Sequence, residues 1–162
     1  MSAETSMVIT RGRTVGEADI AAFAGFTGDF APLHIDEEYA KATQFGGRLL
    51  HGVSVLAICN GLIVLDGVLD RHLAFLGCDF KVRSPTRPGD TLHVEVVEVA
   101  ARVESKGERE IATYQCDVFN QREELVLEST WTLMRPIGSS APDQVGCSPL
   151  KPVPGRATRA SA

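Results

Sequence analysis

The segment Thr27-Gly-Asp-Phe-Ala-Pro-Leu-His-Ile-Asp36 places a carboxylate, Asp29, and an imidazole, His34, five residues apart around a proline. Pro32 disfavours helix at Ala31 and predicts an irregular, stiffened loop. A carboxylate and an imidazole that converge on one spot can hold and polarise a water. The carboxylate accepts a proton, and the imidazole tunes or supplies a second transfer. The spacing alone favours a plainer reading: Asp29 caps a turn and His34 is structural.

A second segment, Phe45-Gly-Gly-Arg-Leu-Leu-His-Gly52, runs into an apolar stretch. A glycine at a helix start leaves its N–H unshielded, and the helix dipole adds partial positive charge there. That environment suits a carbonyl oxygen gaining negative charge. The alternative is that Gly52 permits a tight corner and His51 fills a gap.

Other chemistries lack their residues. His34, His51, His72 and His93 are scattered, with no His-x3-His and no cysteine pair nearby, so no metal is expected. There is no Gly-x-Ser-x-Gly, no Gly-x-Gly-x-x-Gly and no phosphate loop, so neither a serine hydrolase nor a bound nucleotide cofactor is expected.

The elements that must position these groups are legible from periodicity. Gly16-Glu17-Ala18-Asp19 leads into Ile20, Phe23 and Ala24 on one helix face, ended by Gly25/Gly28. Asp36 is the expected N-cap of a short helix through Lys41, with acids in its first turn. Val53–Leu65 is apolar nearly all round and predicts a helix buried on most sides. After Leu73 the period becomes 2. Cys78, Phe80 and Val82 alternate with polar residues, as do Leu92, Val94 and Val96, Ala112 to Val118, and Leu125 to Leu133. The phase slips to Val97 and Val99, which predicts a bulge. Lys106-Gly107 and Asn120–Glu123 are expected hairpin turns. Helices followed by about four antiparallel strands predict an α+β domain, one helix packed on a curved sheet.

Composition sets the outer limits. The chain has 162 residues, 44% hydrophobic and 23% charged, which suits one globular domain. Its formal charge of -5 and few aromatic residues disfavour nucleic-acid binding. The apolar run is too short to span a bilayer, and the first residues show no secretory signal. Cys59, Cys78, Cys116 and Cys147 contain no Cys-x-x-Cys and read as free thiols, so a cytoplasmic location is expected. The domain is expected to occupy residues 1–135. Residues 136–162, rich in Pro, Ser, Ala and Gly, are expected to form a disordered tail.

Taken together, these segments resemble the MaoC-like hydratase/dehydratase family, which includes the (R)-specific enoyl-CoA hydratases. The hallmark Asp-x-Asn-Pro-x-His-x-Asp stands here as Asp29-Phe-Ala-Pro-Leu-His-Ile-Asp36, with Ala31 in place of Asn. The His-Gly pair is His51-Gly52, preceded by Arg48 where Pro is frequent. Phe80-Lys-Val-Arg-Ser-Pro-Thr-Arg-Pro-Gly-Asp-Thr-Leu92 and Trp131-Thr-Leu-Met-Arg resemble the family's strand signatures.

The resemblance implies a hot-dog fold, a long helix wrapped by a curved antiparallel sheet, and a homodimer or a multiple of it. It implies reversible hydration of trans-2-enoyl thioesters to (R)-3-hydroxyacyl thioesters, carried on coenzyme A or an acyl-carrier protein. Asp29 and His34 map onto the catalytic pair and Gly52 onto the backbone oxyanion donor. Pro32, His51, Ser54 and Asn60 are expected to bind substrate, Asn60 standing where some members have a serine. A hot-dog thioesterase and a non-catalytic acyl-thioester-binding or assembly subunit are the alternatives.

Overall fold

The computed structural model describes residues 7–139 apart from residue 70. The expected tail therefore lies almost wholly outside the described residues, as does Cys147.

Four antiparallel strands make the body: β3 (Ala74–Val82), β4 (Thr91–Val103), β5 (Arg109–Phe119) and β6 (Leu125–Pro136). Two short strands precede them, β1 (Met7–Ile9) and β2 (Arg13–Thr14), and both pair with β4. The sheet order is β1-β4-β5-β6-β3. The expected phase slip is real: the β4–β5 register shifts between Glu98 and Ala100. Both expected turns close hairpins. Gly107 sits at φ 73°, while Glu123 takes φ 59°, a left-handed backbone uncommon for a residue with a side chain. β6 continues through Pro136, and Ser139 donates from Oγ to the Pro136 carbonyl (2.6 Å), so ordered structure runs slightly past the boundary expected at 135.

The helices precede β3 to β6, as expected, but they follow β1 and β2. α1 (Glu17–Thr27) starts where the Asp19 carboxylate accepts the Gly16 N–H (2.8 Å) and stops at Gly28, φ 78°, whose N–H donates to the Ala24 carbonyl. Gly25 lies inside the helix and ends nothing. α2 (Pro32–Ile35) replaces the expected loop: the proline that disfavours helix at Ala31 is itself suited to the first helical position. α3 (Glu37–Lys41) is capped by Asp36, whose Oδ1 accepts the Tyr39 N–H at 3.0 Å. α4 (Gly52–Leu65) is the long helix.

The core lies between α4 and one face of the sheet. Val55, Ile58, Cys59, Leu62 and Ile63 meet Leu92, Val94, Val96, Tyr114, Val118, Leu127 and Trp131, all buried. Each fully buried large apolar side chain contributes about 1.5–3 kcal/mol relative to exposure. Burial pushes the Cys59 thiol up, and the Cys116 thiol up to about 12, so both are inert, neutral core residues. α4 is not buried on most sides, however. Val53, Ala57, Asn60, Gly61 and Val64 form an exposed stripe along it. Phe75, Leu76, Phe80 and Val82 of edge strand β3 are exposed as well.

The outer layer is fastened by buried charge. Arg135, 4% exposed, donates to Glu98 and Glu110 and to the Tyr114 hydroxyl (2.8 Å). Asp90, in the turn before β4, accepts from Arg87 N–H (2.9 Å), Gln121 (2.9 Å) and Arg122 (3.2 Å). Among the described residues no helix is long and apolar enough to cross a membrane.

Candidate active site

The site is built on the chain between α1 and α4. Gly28 turns the chain out of α1, and Asp29 follows with its N–H donating to the Thr27 hydroxyl (3.2 Å). Asp29 Oδ1 accepts the Ala31 N–H (3.3 Å), an Asx turn that fixes the carboxylate with its second oxygen unclaimed by that turn. Ala31 therefore stiffens the loop through its main chain, although the family's asparagine side chain is missing there. The Asp29 side chain is about half exposed, at 52%.

Pro32 starts α2, and this single turn carries His34. Its Nδ1 lies 2.8 Å from the Leu49 carbonyl. A carbonyl only accepts, so Nδ1 carries the proton, and the neutral ring presents its lone pair at Nε2. That is the tautomer a base or water-holding group needs. A second tie, Leu49 N–H to the Leu33 carbonyl (3.4 Å), holds α2 against the 47–50 stretch.

His51 is 2% exposed. Its ring stacks on His34 with centroids 3.8 Å apart and planes 26° apart, and it meets Phe23 at 4.9 Å. Its Nε2 donates to the Asp29 carbonyl (3.0 Å) and lies 3.9 Å from Asp29 Oδ2. One ligand atom from each of Asp29, His34 and His51 falls within 4.8 Å of the other two. Two of the four ring nitrogens are already committed to carbonyls, which leaves this cluster better suited to holding a water than to surrounding a metal ion. His93, Glu95 and Glu123 form a second convergent group at the start of β4 and the β5–β6 turn.

Gly52 opens α4, and its N–H makes no hydrogen bond among the described residues, as the first turn of a helix requires. Ser54 is buried, and its Oγ donates to the His51 carbonyl (2.7 Å). Ser54 also faces an open, mostly apolar pocket of about 310 Å³ between α1 and α4, shared with Phe23, Phe26, Ala57 and Ile58. The structure thus brings Asp29, His34 and His51 together, with Gly52 next to His51 in the chain. Pro32 is exposed at the start of α2. Asn60 sits on the exposed stripe about 12 Å along the helix from Gly52, at 1.5 Å per residue.

Arg48, which departs from the usual proline, has a structural account. It bridges Glu17 on α1 (2.8 Å) and Glu37 on α3 (2.9 Å), so it clamps both helices to the segment that leads into α4. Arg83 is paired with Glu128, and Arg87 donates to the Phe45 carbonyl.

The model of the MaoC-like domain matches residues 2–118. This chain belongs to the MaoC-like dehydratase family. Its sequence is 35% identical over 108 residues to the (R)-specific enoyl-CoA hydratase of Aeromonas caviae, covering 65% of this chain and 75% of that protein. Its fold matches the crystal structure of the MaoC-like dehydratase of Rhodospirillum rubrum with a TM-score of 0.75 and 34% identity, covering 83% and 93% of the two chains. A Mycobacterium tuberculosis protein described as a double hotdog fold superposes with a TM-score of 0.71 at 22% identity over 83% of this chain and 42% of that one, which supports the fold alone. The MaoC-like chain is therefore a hot-dog enzyme of the hydro-lyase class, as its sequence motifs implied.

Proposed function

We propose that this protein adds water reversibly across trans-2-enoyl thioesters to give (R)-3-hydroxyacyl thioesters. The observation that carries this reading is the convergence of the Asp29 carboxylate with His34 in its Nδ1–H tautomer. In the hydration direction, the water between Asp29 and His34 Nε2 loses a proton to one of them, and its oxygen bonds to the β-carbon. The electron pair of the double bond moves toward the thioester carbonyl, whose oxygen gains negative charge. The Gly52 N–H, at the positive end of α4, stabilises that oxygen. The α-carbon then takes a proton from the pair, so one water is consumed and both its hydrogens are accounted for. Pro32 presets the loop, Ser54 fixes the first turn of α4, and Asn60 lies where an acyl arm following the exposed stripe would pass.

The carrier is a thioester of coenzyme A or of an acyl-carrier protein, since both appear in the names of relatives. The same reading makes the protein a homodimer. The stripe of Val53 and Val64 on α4 and the row of Phe75, Leu76, Phe80 and Val82 on β3 are apolar and uncovered in one chain.

The test is a panel of enoyl- and 3-hydroxyacyl-thioesters assayed in both directions. Loss of the enoyl-thioester absorbance without release of free thiol is the expected result, abolished in Asp29→Asn. Thiol release in its place would make the protein a thioesterase. Saturable binding with no turnover would make it a carrier or assembly subunit.

A further inference from the structure

We infer that His51 is a positioning residue that fastens the three reacting groups to one another without touching substrate. This rests on the reading of Asp29, His34 and Gly52 as those groups.

Three observations carry it. First, His51 has no free path to a substrate: its ring is buried between His34 and Phe23. Its Nε2–H is spent on the Asp29 carbonyl (3.0 Å), a bond that spans twenty-two residues of chain. Its Nδ1 is buried and has no hydrogen-bond partner among the described residues, so Nε2 is the nitrogen through which the ring is tied. Second, each contact constrains a different reacting group. The bond to the Asp29 carbonyl fixes the peptide on which that carboxylate stands. The stack covers one face of the His34 ring while the Leu49 carbonyl holds its Nδ1. Third, the His51 main chain starts α4. Its carbonyl accepts the Ser54 N–H (2.9 Å), the Val55 N–H (3.3 Å) and the Ser54 hydroxyl, so the direction of the Gly52 N–H is set from the same residue.

A hydrophobic ring of similar size would fill the space between His34 and Phe23, so packing alone does not require an imidazole. The requirement for a donor at the Nε2 position does. A misplacement of about 1 Å at a reacting group costs on the order of a hundredfold in rate, so removing this tie is expected to lower kcat and leave KM nearly unchanged.

The experiment compares His51→Phe, His51→Asn and His51→Gln. Phenylalanine keeps bulk and stacking but has no donor. Asparagine carries its amide too close to the backbone to reach Asp29. Glutamine places an N–H near the Nε2 position. With crotonyl-CoA as probe, His51→Phe and His51→Asn should lose about 10- to 100-fold in kcat with KM within about threefold, while His51→Gln recovers most of kcat. Amide hydrogen exchange gives a second readout independent of turnover. Residues 29–36 should exchange about tenfold faster in the Phe and Asn variants than in wild type or His51→Gln, with the sheet unchanged. If His51→Phe fails to fold, the Asn and Gln pair still decides. Equal kcat and equal exchange across the folded variants would overturn the inference, as would a loss in His51→Gln as deep as in His51→Asn. Wild-type enzyme that never hydrates an enoyl thioester, yet shows the exchange pattern, would sink the proposed reaction and leave the positioning role standing.

Discussion

A Cβ atom built on Gly52 would lie 2.9 Å from Cγ2 of Val82, closer than real Cβ contacts come. The Val82 side chain of edge strand β3 thus stands over the first residue of α4 and leaves no room there for a side chain unless Val82 shifts, whatever else the Gly52 N–H does. The sequence offers two accounts of Gly52, a tight corner and an open oxyanion donor, and the structure supplies the steric half independently.

The first prediction separates these halves. Gly52→Ala should destabilise the protein by about 1–3 kcal/mol, the usual cost of overpacking, and lower turnover. Adding Val82→Ala should restore both, because the backbone donor is retained and the collision removed. Thermal melts and crotonyl-CoA hydration on the single and double variants provide the check. Recovered stability with turnover still absent would show that the open space at Gly52 itself admits substrate.

The second prediction concerns Asp29 and His34 as a unit. Asp29→Asn and His34→Ala should each lower turnover by about two to four orders of magnitude. The double variant should be scarcely worse than the poorer single one, the outcome required by the proposal that both hold one water. Steady-state rates measure this directly, and strictly multiplicative losses would mean two independent roles. Melting temperature should move little for Asp29, which is half exposed.

The third prediction concerns acid. Burial pushes the Asp90 carboxyl up, but the Arg87 N–H and the side chains of Gln121 and Arg122 outweigh it and hold it below the usual range. A lowered folded-state pKa contributes stability that is fully present above the unfolded value, near pH 4, and is lost as pH falls through the folded value. Asp90→Asn should therefore be less stable than wild type at pH 7, with a gap that narrows below about pH 4. Urea midpoints at pH 7 and pH 3 test this, and a gap constant with pH would assign the loss to shape rather than charge.

The fourth prediction concerns assembly. Light scattering at micromolar concentration should give twice the 17.4 kDa chain mass. Val64→Lys combined with Phe80→Lys should give a folded monomer, because each puts a charge into exposed apolar surface that the proposed dimer would cover. A wild-type monomer would show that the stripe and the strand edge serve something other than a second copy.

Much of this architecture was legible where period and capping agree. Asp36 caps α3, Gly28 ends α1, and the change of phase onto Val97 and Val99 accompanies a true shift in register between Glu98 and Ala100. What was hidden has physical causes. β1 and β2 hold three and two residues, too short for any period to show. α2 was masked because Pro32 both disfavours helix before it and favours starting one. α4 reads as buried all round because its exposed stripe, with Val53, Ala57 and Val64, is nearly as apolar as the face it turns to the core. At the site, Asp29, His34 and Gly52 stood out by residue type and motif. His51 stood out only as half of a His-Gly pair; its burial, stacking and bond to the Asp29 carbonyl depend on the chain folding back twenty-two residues. No spacing rule in the sequence carries that information.

Asp29, His34, His51 and Gly52 all fall within a stretch of 24 residues, whereas β1 must find β4 across the span from Met7 to Val97. Closing a short loop costs less chain entropy than closing a long one, by about 0.6 kcal/mol per doubling. The candidate site is thus closed by nearer contacts than the pairing of β1 with β4. During refolding it should gain protection before the N-terminal strand docks, so the order of assembly runs from chemistry to closure.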